Sequence, residues 1–511
     1  MIDGSKIVAV GEDALAQDAD KKIDLQGKFL APGFIDSHAH PLFAGRENQG
    51  PVLNGLQSVE EMVEAVRVFA EKNPDKKWII GGAYEAAIVA RGDFLATWLD
   101  EAVSDRPVLL NSVDHHTVWV NSKALEIAGI SAATHDPEGG SIARSSDGTP
   151  KGTLREPSAI DLVMKCAPKN TLDDDVEAIG WACQQYLQAG VTSATDAWVE
   201  PGMPEAYIAA AKTGALTIDM NLFFLAQPDS WRERSKDFQS FRAQIETLGE
   251  GSLLQAKTIK FICDGALSAG TAALIDPYDD DPQSRGLLIW SDDELIDAMV
   301  TFDAMGFQIH AHAIGDAAIA QALRAIAAVQ RVNPPWDRRP VIAHAQLIAA
   351  DDLKKFAELG VIANIQPLWT YLDPMNKTLI LPRIGEKRNN QQYQLKSLLN
   401  SGAALSYGSD WPVTSYLPLL ALGVPTHRSE NMGSAPWSPE ESITVEDSLT
   451  AYTYGSALSN FWEPRLGVLD ICMDADLVVL EKSPLEVDPH DILDIEILEV
   501  FKAGVAINQY F

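Results

Sequence analysis

The chain has 511 residues, 46% of them hydrophobic, and a formal net charge of −32. That is material for one large catalytic domain with accessory parts, and a charge of the wrong sign for nucleic acid or an anionic membrane surface. "MIDGSKIVAVGED" lacks the charged and apolar regions of a secretory signal, no apolar run is long enough to span a membrane, and Cys166, Cys183, Cys263 and Cys472 form no CxxC pair, so a reduced, cytoplasmic protein is expected.

Residues 1–31 read as short strands and turns, "SKIVAVGED" and then "KKIDLQGKFLAPG". Residues 463–511 read the same way, through "DADLVVLEKSP" and "ILEVFKAGVAINQY". Termini of a domain commonly lie close together, so the two ends are expected to form one small β-sandwich-like domain. Between them, over 32–462, apolar β-type runs alternate with helical patterns. The runs are 29–40, 190–197, 218–226, 258–265, 306–313, 339–346, 361–367 and 403–410. "DELIDAMVTFDAM" and "AAIAQALRAIAAVQR" are two of the intervening helices. Eight β-α repeats predict an α/β fold of the (β/α)8 (TIM) barrel type. The gap between the first two runs is far longer than one helix needs, and predicts an insertion over about 50–175 with strands of its own, "KKWIIGGAY" and "RPVLLNSVD".

The polar residues suited to chemistry fall at the ends of these runs. His38 and His40 end the first, Lys260 and Asp264 lie in the fourth, His310 and His312 in the fifth, His344 in the sixth and Asp410 in the eighth. Active sites of such barrels form at the C-terminal ends of several strands. In a strand, residues i and i+2 share a face, so His38 and His40 can grip one ion together. Neutral imidazoles suit Zn²⁺ and other divalent first-row metals. Isolated H-x-H pairs are more often hydrogen-bonded core, and it is the company of His312, His344 and Asp410 that turns the reading toward a metal. Lys260 points into the barrel if Asp264 faces the mouth, and a bare ammonium is costly to bury. Either it pairs with Asp264 or Asp410, or its neutral amine takes up CO₂ to become a carbamate.

The segments "LAPGFIDSHAH", "DHHTVWVNSKALEIAGI", "GTPKGTLRE", "AGVTSATD", "IKFICDGALSAGTAAL", "HAIGD", "IAHAQ", "GSDWPV" and "GVLDICMDADLVVL" occur in this order across nearly the whole chain. With them the chain resembles the amidohydrolase superfamily, in the branch of YtcJ-like metal-dependent hydrolases that includes N-substituted formamide deformylase. The resemblance implies a metal site of His38, His40, Lys260, His312, His344 and Asp410, with Lys260 carboxylated and bridging two divalent ions, zinc being the expected metal. It matches the histidine of "HAIGD" to His312. His310 stands where the pattern is usually apolar, about 6–7 Å deeper along the strand, and reads as core or as a support behind the ligands. Two departures stand out. The superfamily's opening strands begin earlier than Met1, and the Gly-rich tail motif is replaced by "GVLDICMDAD".

The implied activity is hydrolysis of a non-peptide carbon–nitrogen bond of a small-molecule amide. Metal-bound hydroxide attacks the carbonyl, and Asp410 carries the proton to the leaving amine as the catalytic acid–base. His116, Trp119 and Asn121 of the insertion, with Asp264, are the expected substrate contacts. Trp119 as core and Asn121 as a helix cap are the competing roles. A deaminase of the same superfamily carries a Glu three residues after the fifth-strand His, where this chain has Gly315 followed by Asp316. A lactonase would use the same metals, and a non-catalytic scaffold would be expected to have lost ligands. Neither a nucleic-acid nor a membrane partner is expected, and a homo-oligomer is open. His115, His135, His427 and His490 read as surface or structural residues.

Overall fold

The computed structural model describes residues 1–113, 117–137, 140–249 and 251–507. The chain forms two compact units, Met1–His40 with Cys183–Phe511, and Pro41–Ala182.

The first unit contains a parallel eight-stranded sheet. Its strands are Phe34–Asp36, Val191–Val199, Asp219–Ala226, Leu254–Ile262, Gln308–Ala313, Val341–His344, Ile362–Ile365 and Leu405–Tyr407, and each pairs with the next in chain order. The eighth returns to the first through backbone bonds just beyond both strands: Ser37 N–H to Tyr407 O at 3.0 Å, Asp410 N–H to His38 O at 2.7 Å, and His40 N–H to Trp411 O at 2.7 Å. The sheet is thereby a barrel, and each of the eight apolar runs read from the sequence supplies one strand. The third strand is buried along its whole length, as a strand covered on both faces should be. Helices fill the crossovers. In Asp316–Val332 the buried residues Ala318, Ile319, Ala322, Leu323, Ile326 and Val329 recur at helical spacing and form one apolar face. The helix Asp292–Ala304 starts where the Ser291 side chain accepts the Glu294 N–H, leaving acidic residues in the first turn.

Beneath the mouth the barrel interior is polar and carries its own hydrogen bonds. Thr258 donates to Gln308 at 2.7 Å, and Asn364 donates to both Ser37 and Ser406 at 2.9 and 3.0 Å. The chain's two ends meet in a four-stranded antiparallel sheet in the order Val505–Ala506, Ile497–Lys502, Leu477–Leu480 and Phe29–Pro32. A two-stranded pair, Ile2–Asp3 with Lys6–Ile7, is tied to the 470s by backbone bonds from Ile7 to Met473 and from Cys472 to Ile7.

The second unit is built on a five-stranded mixed sheet of Ile79–Tyr84, Val108–Ser112, Thr117–Val120, Pro150–Arg155 and Ser141–Arg144. Its core gathers Met62, Val66, Tyr84, Phe94, Leu99, Leu110 and Trp119. It occupies the interval between the first two barrel strands, starting earlier in the chain than the expected 50–175.

Candidate metal centre

His38 and His40 follow the first strand directly, and Asp410 follows the eighth, so barrel closure brings the three together. One ligand atom from each lies within 4.8 Å of the others, and all three residues are shielded from solvent. Asp410 Oδ1 is 3.0 Å from His40 Nε2 and 3.5 Å from His38 Nε2. Lys260 Nζ reaches the same point from the fourth strand, 3.2 Å from His38 Nε2. His344 lies against His38 with ring centroids 5.0 Å apart, and His312 against His344 at 4.5 Å. The six residues read from strand ends therefore converge on one mouth.

The ring nitrogens are sorted by their other bonds. Gln366 Oε1 sits 2.8 Å from His344 Nδ1, which leaves Nε2 for an ion. Gln366 is itself held by its bond to Asn364 at 3.1 Å. His312 Nε2 faces Gly265 O at 3.4 Å and Asp264 at 3.5 Å, which leaves its Nδ1. This orientation of metal-binding histidines by a second hydrogen bond is general. Gln366 was not expected from the sequence, although a polar residue ending the seventh strand was a signal. Asp36 was missed as well. It accepts from Ser409 N and Oγ at 2.9 and 2.5 Å and from Tyr186 OH at 2.9 Å, pinning the first strand end to the eighth.

The electrostatics suit a cation. Burial, and then the neighbouring Lys260, holds His38 well below the usual imidazole range, and burial takes His344 down to about 4. Burial and the nearby His344 do the same for His312. These rings are neutral at pH 7 and present lone pairs. Burial brings Lys260 down to about 7, against the pull of Asp410, so much of its amine is unprotonated at neutral pH. Burial alone would raise Asp410. The His40 hydrogen bond, together with the neighbouring His40, His344 and Lys260, outweighs it and holds the carboxyl below the usual carboxylate range. Neutral imidazoles, one carboxylate and one reactive amine in a buried cluster are a donor set that fits a divalent metal.

The expected substrate contacts fare differently. Asp264 is fully buried and accepts the backbone N–H groups of Ala273, Ile314 and Gly315 at 2.9, 3.0 and 2.8 Å. Burial lifts its carboxyl to about 7 against those bonds. Its oxygens are spent on holding two mouth loops, not offered to a substrate. Trp119 is core in the second unit, packed on Phe94 and Tyr84, with its indole N–H donated to Leu95 O at 2.9 Å. Asn121 is the helix cap: Oδ1 accepts from Ala124 and Val108, and Nδ2 donates to Val103 and Arg106 carbonyls. Strand alternation and capping explain both, and the substrate role read for them is corrected. His116 lies outside the described residues. The aromatic walls beside the cluster come instead from Trp369, stacked on His344 at 5.5 Å, and Trp198, 6.3 Å from His40. Both indoles are partly exposed.

A profile of the amidohydrolase family matches residues 21–507. Protein LONG AFTER FAR-RED 3 of Arabidopsis thaliana is 30% identical over 94% of this chain and 83% of its own length. N-substituted formamide deformylase of Arthrobacter pascens is 26% identical over 99% of this chain and 94% of its own. Among solved structures, an uncharacterized metal-dependent hydrolase from Pyrococcus furiosus superposes with a TM-score of 0.73 at 26% identity, covering 95% of each chain.

Proposed function

The chain belongs to the amidohydrolase family, and from that premise we propose that this hydrolase cleaves a non-peptide amide C–N bond of a small molecule, giving a carboxylate and an amine. The observation that carries the reading is the buried cluster of His38, His40 and Asp410 with the Lys260 amine 3.2 Å from His38. His38, His40, His312 and His344 hold divalent metal, zinc by the nitrogen-rich character of the set. When bound, such an ion supplies Lewis-acid polarisation of a carbonyl and a water acidified toward neutrality.

Lys260 is the residue that decides between one ion and two. Four histidines and one aspartate suffice for a single ion, whereas two close cations need an anion between them. The unprotonated Lys260 nitrogen bonds the carbon of CO₂ and releases a proton, leaving a carbamate with two anionic oxygens. Asp264, the other carboxyl near that strand, is already committed to backbone N–H groups. Asp410 is ionised and close to His38 and His40. It accepts the proton of the attacking water and returns it to the leaving nitrogen. Trp198 and Trp369 offer apolar walls for the part of the substrate that does not react.

Amide hydrolysis is favoured over deamination by the fifth-strand loop. Gly315 occupies the position where a deaminase carries its Glu, and a Cβ there would meet Ala273 O at 2.0 Å. Asp316, next in line, accepts the Ile275 N–H at 2.8 Å at the start of a helix and points to a structural task.

The test is a screen of N-formyl and N-acyl amines, dipeptides, cyclic imides, lactones and amino-heterocycles against Zn²⁺, Mn²⁺ and Co²⁺ forms, scored by acid, amine and ammonia release. Turnover of an N-acyl or N-formyl amine, abolished by Lys260→Ala and partly restored by a short-chain carboxylic acid, is the expected result. Turnover of lactones alone, or release of ammonia from an amino-heterocycle alone, would replace the amide assignment.

A further inference from the structure

His310 is the buried histidine that this mechanism leaves without a task. It lies in cross-strand register with Lys260, on the fourth and fifth strands. It is 1% exposed and sits between Phe223, with ring centroids 4.8 Å apart, and His38, at 5.0 Å. Its Nε2 is 2.9 Å from His38 Nδ1. Its Nδ1 is buried and has no hydrogen-bond partner among the described residues. His38 thus has two differently occupied edges. Nε2 faces Lys260 and Asp410, and Nδ1 faces His310.

Two neutral imidazoles joined by one hydrogen bond share a single proton along it, and its direction fixes both tautomers. If His38 donates from Nδ1, its Nε2 is bare and points a lone pair at the mouth. If His310 donates from Nε2, His38 must carry its proton on Nε2, where it blocks a cation. Only the first arrangement makes His38 a ligand. In that arrangement His310 is the acceptor, and its own proton sits on the buried, unpartnered Nδ1.

We propose that His310 is a positioning residue: by accepting the His38 Nδ1 proton it holds His38 in the one tautomer and ring orientation that can bind the metal. The proposal rests on the metal reading of the mouth, and it gives a task to the second histidine, two residues below His312. Its own role is to accept a hydrogen bond and not to ligate. The ion is held with His310 outside its coordination shell, and the orphaned Nδ1–H is a fixed cost of the loaded state.

The experiment compares Zn²⁺ affinity, by competition with a chromophoric chelator, for the wild type, His310→Gln and His310→Leu. Far-UV circular dichroism and melting of the metal-free proteins serve as the folding control. Glutamine keeps an oxygen acceptor in the pocket, whereas leucine fills it without one. A roughly 10–100-fold weaker affinity is expected for His310→Leu, the range for removal of a ligand's hydrogen-bond partner. His310→Gln should recover most of it, with stoichiometry at saturating Zn²⁺ unchanged in both. Wild-type affinity in His310→Leu, or equal weakness in both variants, overturns the proposal, and a lower stoichiometry in both would make His310 a ligand. A second measurement does not depend on the variants folding. In ¹⁵N-histidine-labelled, Zn²⁺-loaded wild type, the shared proton should reside on His38 Nδ1, and its location on His310 Nε2 refutes the assignment. A wild type that binds no Zn²⁺ at all fails the metal reading itself, an outcome distinct from these.

Discussion

Asn121 shows how one side chain can answer two descriptions from sequence and only one in three dimensions. All of its hydrogen-bonding capacity is used inside the second unit, on Ala124, Val108, Val103 and Arg106. Asn121→Ala should therefore cost about 2–4 kcal/mol, from the lost cap together with the buried backbone groups it orphans. Urea unfolding checks the magnitude, and kcat of the folded protein should not change. A fall in kcat at unaltered stability would return Asn121 to the substrate. The clustering of His38, His40, His312 and His344 was legible because residue type, spacing and strand-end position all agreed. Asn121, Trp119 and Asp264 were not, because a polar group beside an active site and a polar group completing a turn have the same sequence appearance. Only their partners separate the two. The same holds for Gln366, whose importance lies entirely in the His344 nitrogen it occupies.

At the level of the strand end, the geometry is imposed by backbone as much as by side chain. His344 and Asp410 adopt φ values of 70° and 59°, in the left-handed region that non-glycine residues rarely enter. Each costs of order 1–3 kcal/mol, and each turns the chain sharply at the rim where its side chain must face inward. Gly408, two residues before Asp410, is where the eighth strand crosses the first. A Cβ there would lie 2.4 Å from the His38 Cβ and 2.6 Å from its backbone nitrogen. Gly408→Ala is predicted to push His38 out of register with Asp410, so that bound metal falls together with a loss of about 1–3 kcal/mol in stability. Metal analysis and thermal melting of the same preparation check both, and a variant that loses stability but keeps full metal would separate the crossing from the site. The barrel strands themselves could be read because each is a short apolar run bounded by turn residues. The exact edges of the inserted unit could not, since its fold depends on pairings such as Thr117–Val120 with Pro150–Arg155, distant in sequence and unmarked by any motif.

The first unit as a whole is fastened at the end of the barrel away from the mouth by buried charge. Asp219 opens the third barrel strand and bonds Arg465 and Lys502, Lys502 reaches Asp476 at 2.6 Å, and Arg465 reaches Asp474 at 2.7 Å. Burial raises the Asp219 carboxyl, but Lys502 and Arg465 outweigh it and hold it below the usual carboxylate range. A carboxyl whose folded pKa is depressed adds stability that is complete above its unfolded value, near 3.9, and is lost as pH falls through the folded one. Asp476, raised by burial, works in the opposite sense and softens the effect. Asp219→Asn should lower stability at pH 7 by about 3–5 kcal/mol, as removal of one partner of a buried ion pair does. It should also flatten the loss of stability below about pH 4. Denaturant titrations at a series of pH values test this, and a variant whose loss is the same at pH 3 as at pH 7 would exclude Asp219 as the titrating group. The proposed metal centre draws six side chains from five strand ends. The direct measurement is the metal retained per chain after loading with Zn²⁺ and exhaustive dialysis, in the wild type and in a His38→Ala, His40→Ala double variant. About two equivalents in the wild type and a sharp loss in the variant are predicted. A wild type that retains none, or a variant that retains as much, contradicts it.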